Sequence, residues 1–245
     1  MNAKPEQRPA VPRHASEQPP KHCLNKPSQI SLTSLLSPTT KTMDPFSTDG
    51  ELVNIHTAFI QGQYPLVLSD YSSSDFSASN RLPVRVLQDR AKCALGQYDE
   101  VIGSISDAEA RQTPDLAAVR TYASFLSDPS SRPDGDAVVE AERLADAEGE
   151  NLTVQLLCGT VLARTGRQEQ ALQLLQKHQG SLDAVALMVQ IHLSMNRTDL
   201  AVKEAKGARS FAQDALLVNL AESWIGVRQV GCAGGNWKGL VGGMC

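Results

Sequence analysis

A chain of 245 residues with 41% hydrophobic content can bury a sizeable core, and its 4% aromatic content favours helices packed through Leu, Val and Ala over sheet. The net charge of −4 hides a basic start: residues 1–43 carry +4 and the remainder −8, which excludes nucleic acid as a partner of the folded part. Cys23, Cys93, Cys158, Cys232 and Cys245 show no metal-ligand or redox spacing, and no run approaches the roughly 18 apolar residues of a membrane span, so a soluble protein of a reducing, intracellular compartment is expected.

Residues 1–43 are expected to be a disordered leader. Seven of the thirteen prolines fall there, with no aromatic residue and almost no apolar period, so little surface is available to offset the entropy of ordering. The basic, Ser-containing composition is that of a transit peptide, but Pro5, Pro9, Pro12, Pro19 and Pro20 break the amphipathic helix such a peptide needs. His14, His22 and Cys23 lack a fourth ligand and a surrounding fold, so no metal site is expected.

Residues 44–229 read as an all-α, tetratricopeptide-like solenoid of helical hairpins. Thr48-Asp49-Gly50-Glu51 has the spacing of a capping box just before Leu52, Val53, Ile55 and Ala58, which predicts a helix start. That helix ends near Gln61-Gly62-Gln63-Tyr64, and Leu95-Gly96-Gln97-Tyr98 repeats the turn 34 residues later, after a helix over 84–94. The Tyr two places after each turn Gly is suited to wedge between the paired helices. Ser69 to Asn80 reads as the joining loop. Thr113-Pro114-Asp115 starts the next hairpin, with Thr as N-cap and Pro in the first turn, and Leu116, Val119, Ala123 and Leu126 face the core. An enlarged loop over 127–136 leads to a returning helix over 137–147.

The stretch 151–211 carries the plainest repeat. Val154, Leu157, Cys158, Val161 and Leu162 form an apolar stripe, Arg164-Thr165-Gly166-Arg167 a tight turn, and Ala171, Leu174 and Leu175 the returning face. Thirty residues after Gly166 the plan recurs, with Val185, Met188, Val189, His192 and Leu193, then Asn196-Arg197-Thr198, then Ala201, Ala205 and Ala208. Leu217, Leu220, Ala221, Trp224 and Ile225 begin a last first helix, expected to run from near Asp214 to near Gln229. Residues 230–245, with six glycines, are expected to form a disordered tail, leaving that stripe uncovered for want of a returning helix.

The chemistry-bearing patterns are missing: there is no phosphate loop, G-x-S-x-G, H-E-x-x-H or C-x-x-C, so neither catalysis nor a cofactor or small-molecule substrate is expected. His192 lies on an apolar stripe and reads as a packed histidine. Glu140, Glu142, Asp146, Glu148 and Glu150 read as a solvated helix face. Asn151-Leu152-Thr153 and Asn196-Arg197-Thr198 match the glycosylation sequon, which an intracellular chain does not use. What remains is a surface. First helices of successive hairpins line the concave side of such a solenoid. Counting from each turn, the inner wall is expected to include His56, Arg90, Thr160, Arg164, Gln190 and Ser194, a mixed polar set around an apolar groove suited to a segment or hairpin of another protein.

Three stretches carry a family likeness. Leu116-Ala117-Ala118-Val119-Arg120 with Tyr122-Ala123 and Phe125-Leu126, then Ala186 to Leu193 followed by Asn196-Arg197-Thr198-Asp199-Leu200-Ala201, then Leu216 to Trp224, together resemble the epsilon subunit of coatomer over about Asp44 to Gln229. The resemblance implies a tetratricopeptide-like subunit of the COPI vesicle coat, acting in Golgi-to-endoplasmic-reticulum and intra-Golgi transport. It implies binding to the C-terminal region of the coatomer alpha subunit, whose stability the family supports. It implies a cytoplasmic protein, peripheral to the Golgi membrane and to COPI-coated vesicles, with no catalytic residues. The family lacks a leader like residues 1–42 and continues through further hairpins, so Met43-Asp44-Pro45 is expected as the natural start and a retained intron or frameshift as the origin of the ending. The competing reading is a generic tetratricopeptide adaptor or co-chaperone. A clamp on an acidic tail needs several inner-wall cations, and only Arg90 and Arg164 qualify.

Overall fold

The computed structural model describes residues 50–128 and 134–232. The readings of the leader, of Thr48 and of the tail beyond Cys232 lie outside the described residues. Twelve α-helices and no strand occur among the described residues. Five hairpins pair α1 (Val53–Ile60) with α2 (Tyr64–Ser69), α3 (Arg81–Ala94) with α4 (Tyr98–Ser104), α6 (Pro114–Ser127) with α7 (Asp136–Ala147), α8 (Leu152–Arg164) with α9 (Gln168–Leu175), and α10 (Leu182–Ser194) with α11 (Thr198–Arg209). A short α5 (Asp107–Gln112) precedes α6, and α12 (Leu216–Cys232) closes the series. The all-α hairpin solenoid expected from the sequence is the observed architecture.

Four of the five interhelical turns share one hydrogen-bonding pattern. The residue at the tightest point, Gly62, Gly96, Gly166 or Asn196, has φ between 59° and 86°. Its N–H donates three residues back, to Phe59, Cys93, Ala163 or Leu193, and the next N–H donates five back, to Ala58, Lys92, Leu162 or His192, at 2.8–3.0 Å. This is the Schellman ending, which satisfies the last carbonyls of the first helix and reverses the chain at once. No atom beyond the local backbone lies within 4 Å of a Cβ added at Gly166, so Gly166→Val carries a pure backbone cost. It is expected to destabilise the fold by about 1–3 kcal/mol in urea denaturation. A melt identical to the parent's would show that the turn relaxes elsewhere.

Boundaries differ from the sequence reading where side chains have better partners. The helix over 84–94 starts three residues earlier, at Arg81, because Pro83 falls in the first turn, where its missing N–H costs nothing. Leu52, without a side-chain bond, stands at the N-cap of α1. Val53 starts α1, and the Glu51 carboxylate accepts from Ser77 N at 3.0 Å, Ser77 Oγ at 2.7 Å and Asn80 Nδ2, tying the long loop back to α1. Thr113 occupies the N-cap of α6 without a side-chain bond. The 3-10 turn Ser73–Asp75 and α5 are capping-box structures without an apolar stripe, built on Ser72 with Asp75 and on Ser106 with Glu109. Hydrogen bonds from the Ser106 backbone and hydroxyl, then from Arg85, hold the Glu109 carboxyl down at about 2.

Apolar burial runs along the stack of first helices, α1 on α3, α3 on α6, α6 on α8, α8 on α10 and α10 on α12. Helix α3 feeds two clusters from two faces. Val84, Leu87 and Ala91 join Leu52, Ile55 and Val67, while Val86 and Cys93 join the larger cluster that runs on to Ile225. The last helix corrects the sequence reading twice. It runs to Cys232, past Gln229, and of the expected stripe Leu217, Ala221 and Ile225 are buried, with α10 and α11 packed against the helix, while Leu220 and Trp224 are half-buried. The apolar residues α12 does expose are Leu216, Val227 and Val230.

Candidate partner-binding groove

Every first helix contributes to one groove of about 330 Å³. Its wall is mainly apolar and aromatic, with Phe59 of α1, Tyr64 opening α2, Tyr122 of α6, Leu156 of α8, Leu187 of α10 and Trp224 of α12. The polar groups on that wall are Arg90 of α3, Thr160 of α8, and Asp183 and Gln190 of α10. Each sits there because the turns put the same face of every first helix inward.

Arg90, Thr160 and Gln190 therefore lie where the sequence spacing put them. The Arg90 guanidinium stacks over the Phe59 ring, 4.6 Å from its centroid, a cation–π contact that also orients it. Thr160, on the groove wall, donates its hydroxyl to Leu156 O at 2.6 Å. Arg164 is exposed at the end of α8, close enough to act electrostatically on the Tyr122 hydroxyl. Ser194 does not line the groove. It donates to Ile191 O at 2.7 Å and ends its own helix.

His56 departs furthest from its expected role. It is not a free wall residue but the buried half of an ion pair, with Nε2 2.9 Å from Asp183 Oδ2 and side chains only 8% and 9% exposed. The pair joins the first hairpin to the fifth, and Asp183 lines both the groove and a second cavity of about 460 Å³, which His56 and Phe211 also line. Burial pushes the Asp183 carboxyl up, but the His56 hydrogen bond and charge, with Arg90, outweigh it and leave the group below the ordinary carboxylate range.

The aromatic wall was the part missed in the sequence. One signal pointed to it: Tyr64, two places after the turn Gly, packs edge-on against Phe59 with centroids 5.5 Å apart, between α1 and α2 as its position suggested. Phe59, Tyr122 and Trp224 carry no such marker. His192 is buried in the core, and burial lowers its pKa. Burial raises Cys93 to about 11 and Cys158 to about 12, so neither thiol is a nucleophile at neutral pH. Asn151 caps α8 through Val154 N at 3.1 Å and donates to Asp115 at 2.9 Å, so its amide is already committed. Among the described residues no group of three potential ligands could hold a metal ion.

The family model for the coatomer epsilon subunit matches residues 48–235. The chain is 32% identical over 176 residues to coatomer subunit epsilon-1 of Arabidopsis thaliana, covering 71% of this chain and 58% of that protein. It is 31% identical over 178 residues to coatomer subunit epsilon of Caenorhabditis elegans, covering 71% and 59%. It is 29% identical over 180 residues to the probable coatomer subunit epsilon of Schizosaccharomyces pombe, covering 73% and 57%. The chain thus spans less than two thirds of the length of these relatives. The matched region contains every helix that builds the groove, and the chain belongs to the coatomer epsilon subunit family.

Proposed function

We propose that this chain is a non-catalytic subunit of the COPI vesicle coat, which binds and stabilises the coatomer alpha subunit in Golgi-to-endoplasmic-reticulum and intra-Golgi transport. The observation that carries this reading is the family match over 48–235, the region whose stacked hairpins form the groove. An apolar, aromatic-lined groove with a few polar groups suits a segment of another protein, because large rigid side chains supply contact area at low entropic cost. No helix among the described residues is long and apolar enough to cross a membrane, in keeping with peripheral attachment to the Golgi membrane through the coat. The tetratricopeptide adaptor reading is weaker, since a clamp on an acidic tail needs cations along its length and the groove has Arg90 with Arg164 nearby.

Thr160→Arg together with Gln190→Arg fills the groove from two exposed or half-buried positions. The double variant is expected to bind the C-terminal region of the alpha subunit roughly tenfold or more weakly, with unchanged helicity by circular dichroism. Equal binding would move the contact off the groove.

A further inference from the structure

Two hydrogen-bond donors on the groove wall, Arg90 and Tyr122, and a third beside it, Arg164 at the end of α8, have no side-chain hydrogen-bond partner among the described residues. Arg90 is half-buried, held over Phe59, and makes no hydrogen bond or ion pair with the described residues; Arg164 makes none either. Both act electrostatically on the hydroxyl of Tyr122, a half-buried residue of the same wall, which also makes no hydrogen bond there. Burial raises that phenol, so it stays protonated and able to donate at neutral pH. Carboxylates answer most of the other arginines, with Arg85 on Glu109, Arg120 on Asp107, Arg143 on Glu140, Arg167 on Glu142, Arg197 on Asp199 and Arg209 on Glu222. In a chain with net charge −4, these two cations stand without a carboxylate ion pair beside an aromatic wall. The one carboxylate on that wall, Asp183, is held by His56 at 2.9 Å and feels the charge of Arg90 without forming an ion pair with it.

We infer that Arg90, Arg164 and Tyr122 form a carboxylate subsite, and that the groove takes a protein segment in which an Asp or Glu is flanked by apolar or aromatic side chains. This rests on the groove being the docking surface. Guanidinium groups match a carboxylate bidentately, and the aromatic surroundings strengthen the pairing by excluding water. Apolar neighbours of the acidic residue would cover Leu156, Leu187 and Trp224. Two cations are too few for an acidic tail and sufficient for one carboxylate.

The test selects random displayed peptides against the intact chain and re-measures the bound set on three variants, Arg90→Glu with Arg164→Glu, Arg90→Lys with Arg164→Lys, and Tyr122→Phe, each with parental helicity and melting. Asp or Glu beside Leu or aromatic residues should be enriched. Affinity should fall roughly tenfold or more on charge reversal, less with the lysines, and several-fold with Tyr122→Phe. Peptides without acidic enrichment, or equal affinity for all variants, would overturn the subsite. Competition with the C-terminal region of the alpha subunit separates the two ideas. Peptides that depend on both arginines but are not displaced by it would sink the alpha-subunit reading and leave the subsite standing. Displacement by an alpha region whose own binding ignores both arginine variants would sink the subsite and leave that reading standing.

Discussion

Asp183→Ala is expected to lower stability by about 3–5 kcal/mol, the usual cost of breaking a buried ion pair and leaving one partner behind. Asp183 and His56 are 2.9 Å apart with side chains 9% and 8% exposed, so the pair is largely withdrawn from water. The loss should be localised. Because the pair ties α1 to α10, hydrogen exchange should show α1 losing protection before the central hairpins do. Asp183→Asn should cost less, since its amide oxygen can still accept from the imidazole. The sign with pH follows from the lowered carboxyl. A group whose folded pKa lies below its unfolded value contributes stability that is fully present above the ordinary carboxylate range and is lost as pH falls through the lower, folded value. The difference between parent and Asp183→Ala should therefore shrink in acid, as pH falls below that range. An alanine variant that melts like the parent, with α1 still protected, would show that the pair does not clasp the two hairpins.

Leu175→Ala is expected to cost about 2–5 kcal/mol in urea denaturation, towards the upper end. Leu175 is fully buried at the end of α9, and its side chain fills the space left by Gly159 in α8, with Cγ 3.4 Å from where a Cβ would stand. A glycine offers no side chain to relax into the cavity, so the contacts removed are not recovered. The converse substitution tests the same packing. A Cβ at Gly159 would meet Leu175 at 3.4–3.6 Å, ordinary contact, and alanine favours the helix by about 1 kcal/mol, so Gly159→Ala should be neutral or mildly stabilising. A cost below about 1 kcal/mol for Leu175→Ala would mean that α8 and α9 close on the gap.

The hairpins were legible because their determinants are local. An apolar residue every third or fourth position marks the buried face of a helix, and a Gly or Asn at the left-handed position closes a Schellman ending through bonds three and five residues back, so Gly62, Gly96, Gly166 and Asn196 announce their turns without reference to the rest of the fold. The inward positions of Arg90, Thr160 and Gln190 follow by counting from those turns. The short α5 escaped the apolar period because it has no stripe, although Ser106 and Glu109 stand at capping-box spacing. Only the tertiary structure decided which residues of distant hairpins meet. The pairing of His56 with Asp183, the burial of Leu217, Ala221 and Ile225 where α10 and α11 pack against α12, and the convergence of Arg90, Arg164 and Tyr122 depend on how far each hairpin rotates on the one before. Those rotations are set by side-chain packing at each interface and add along the stack, so no local pattern in the sequence encodes their sum.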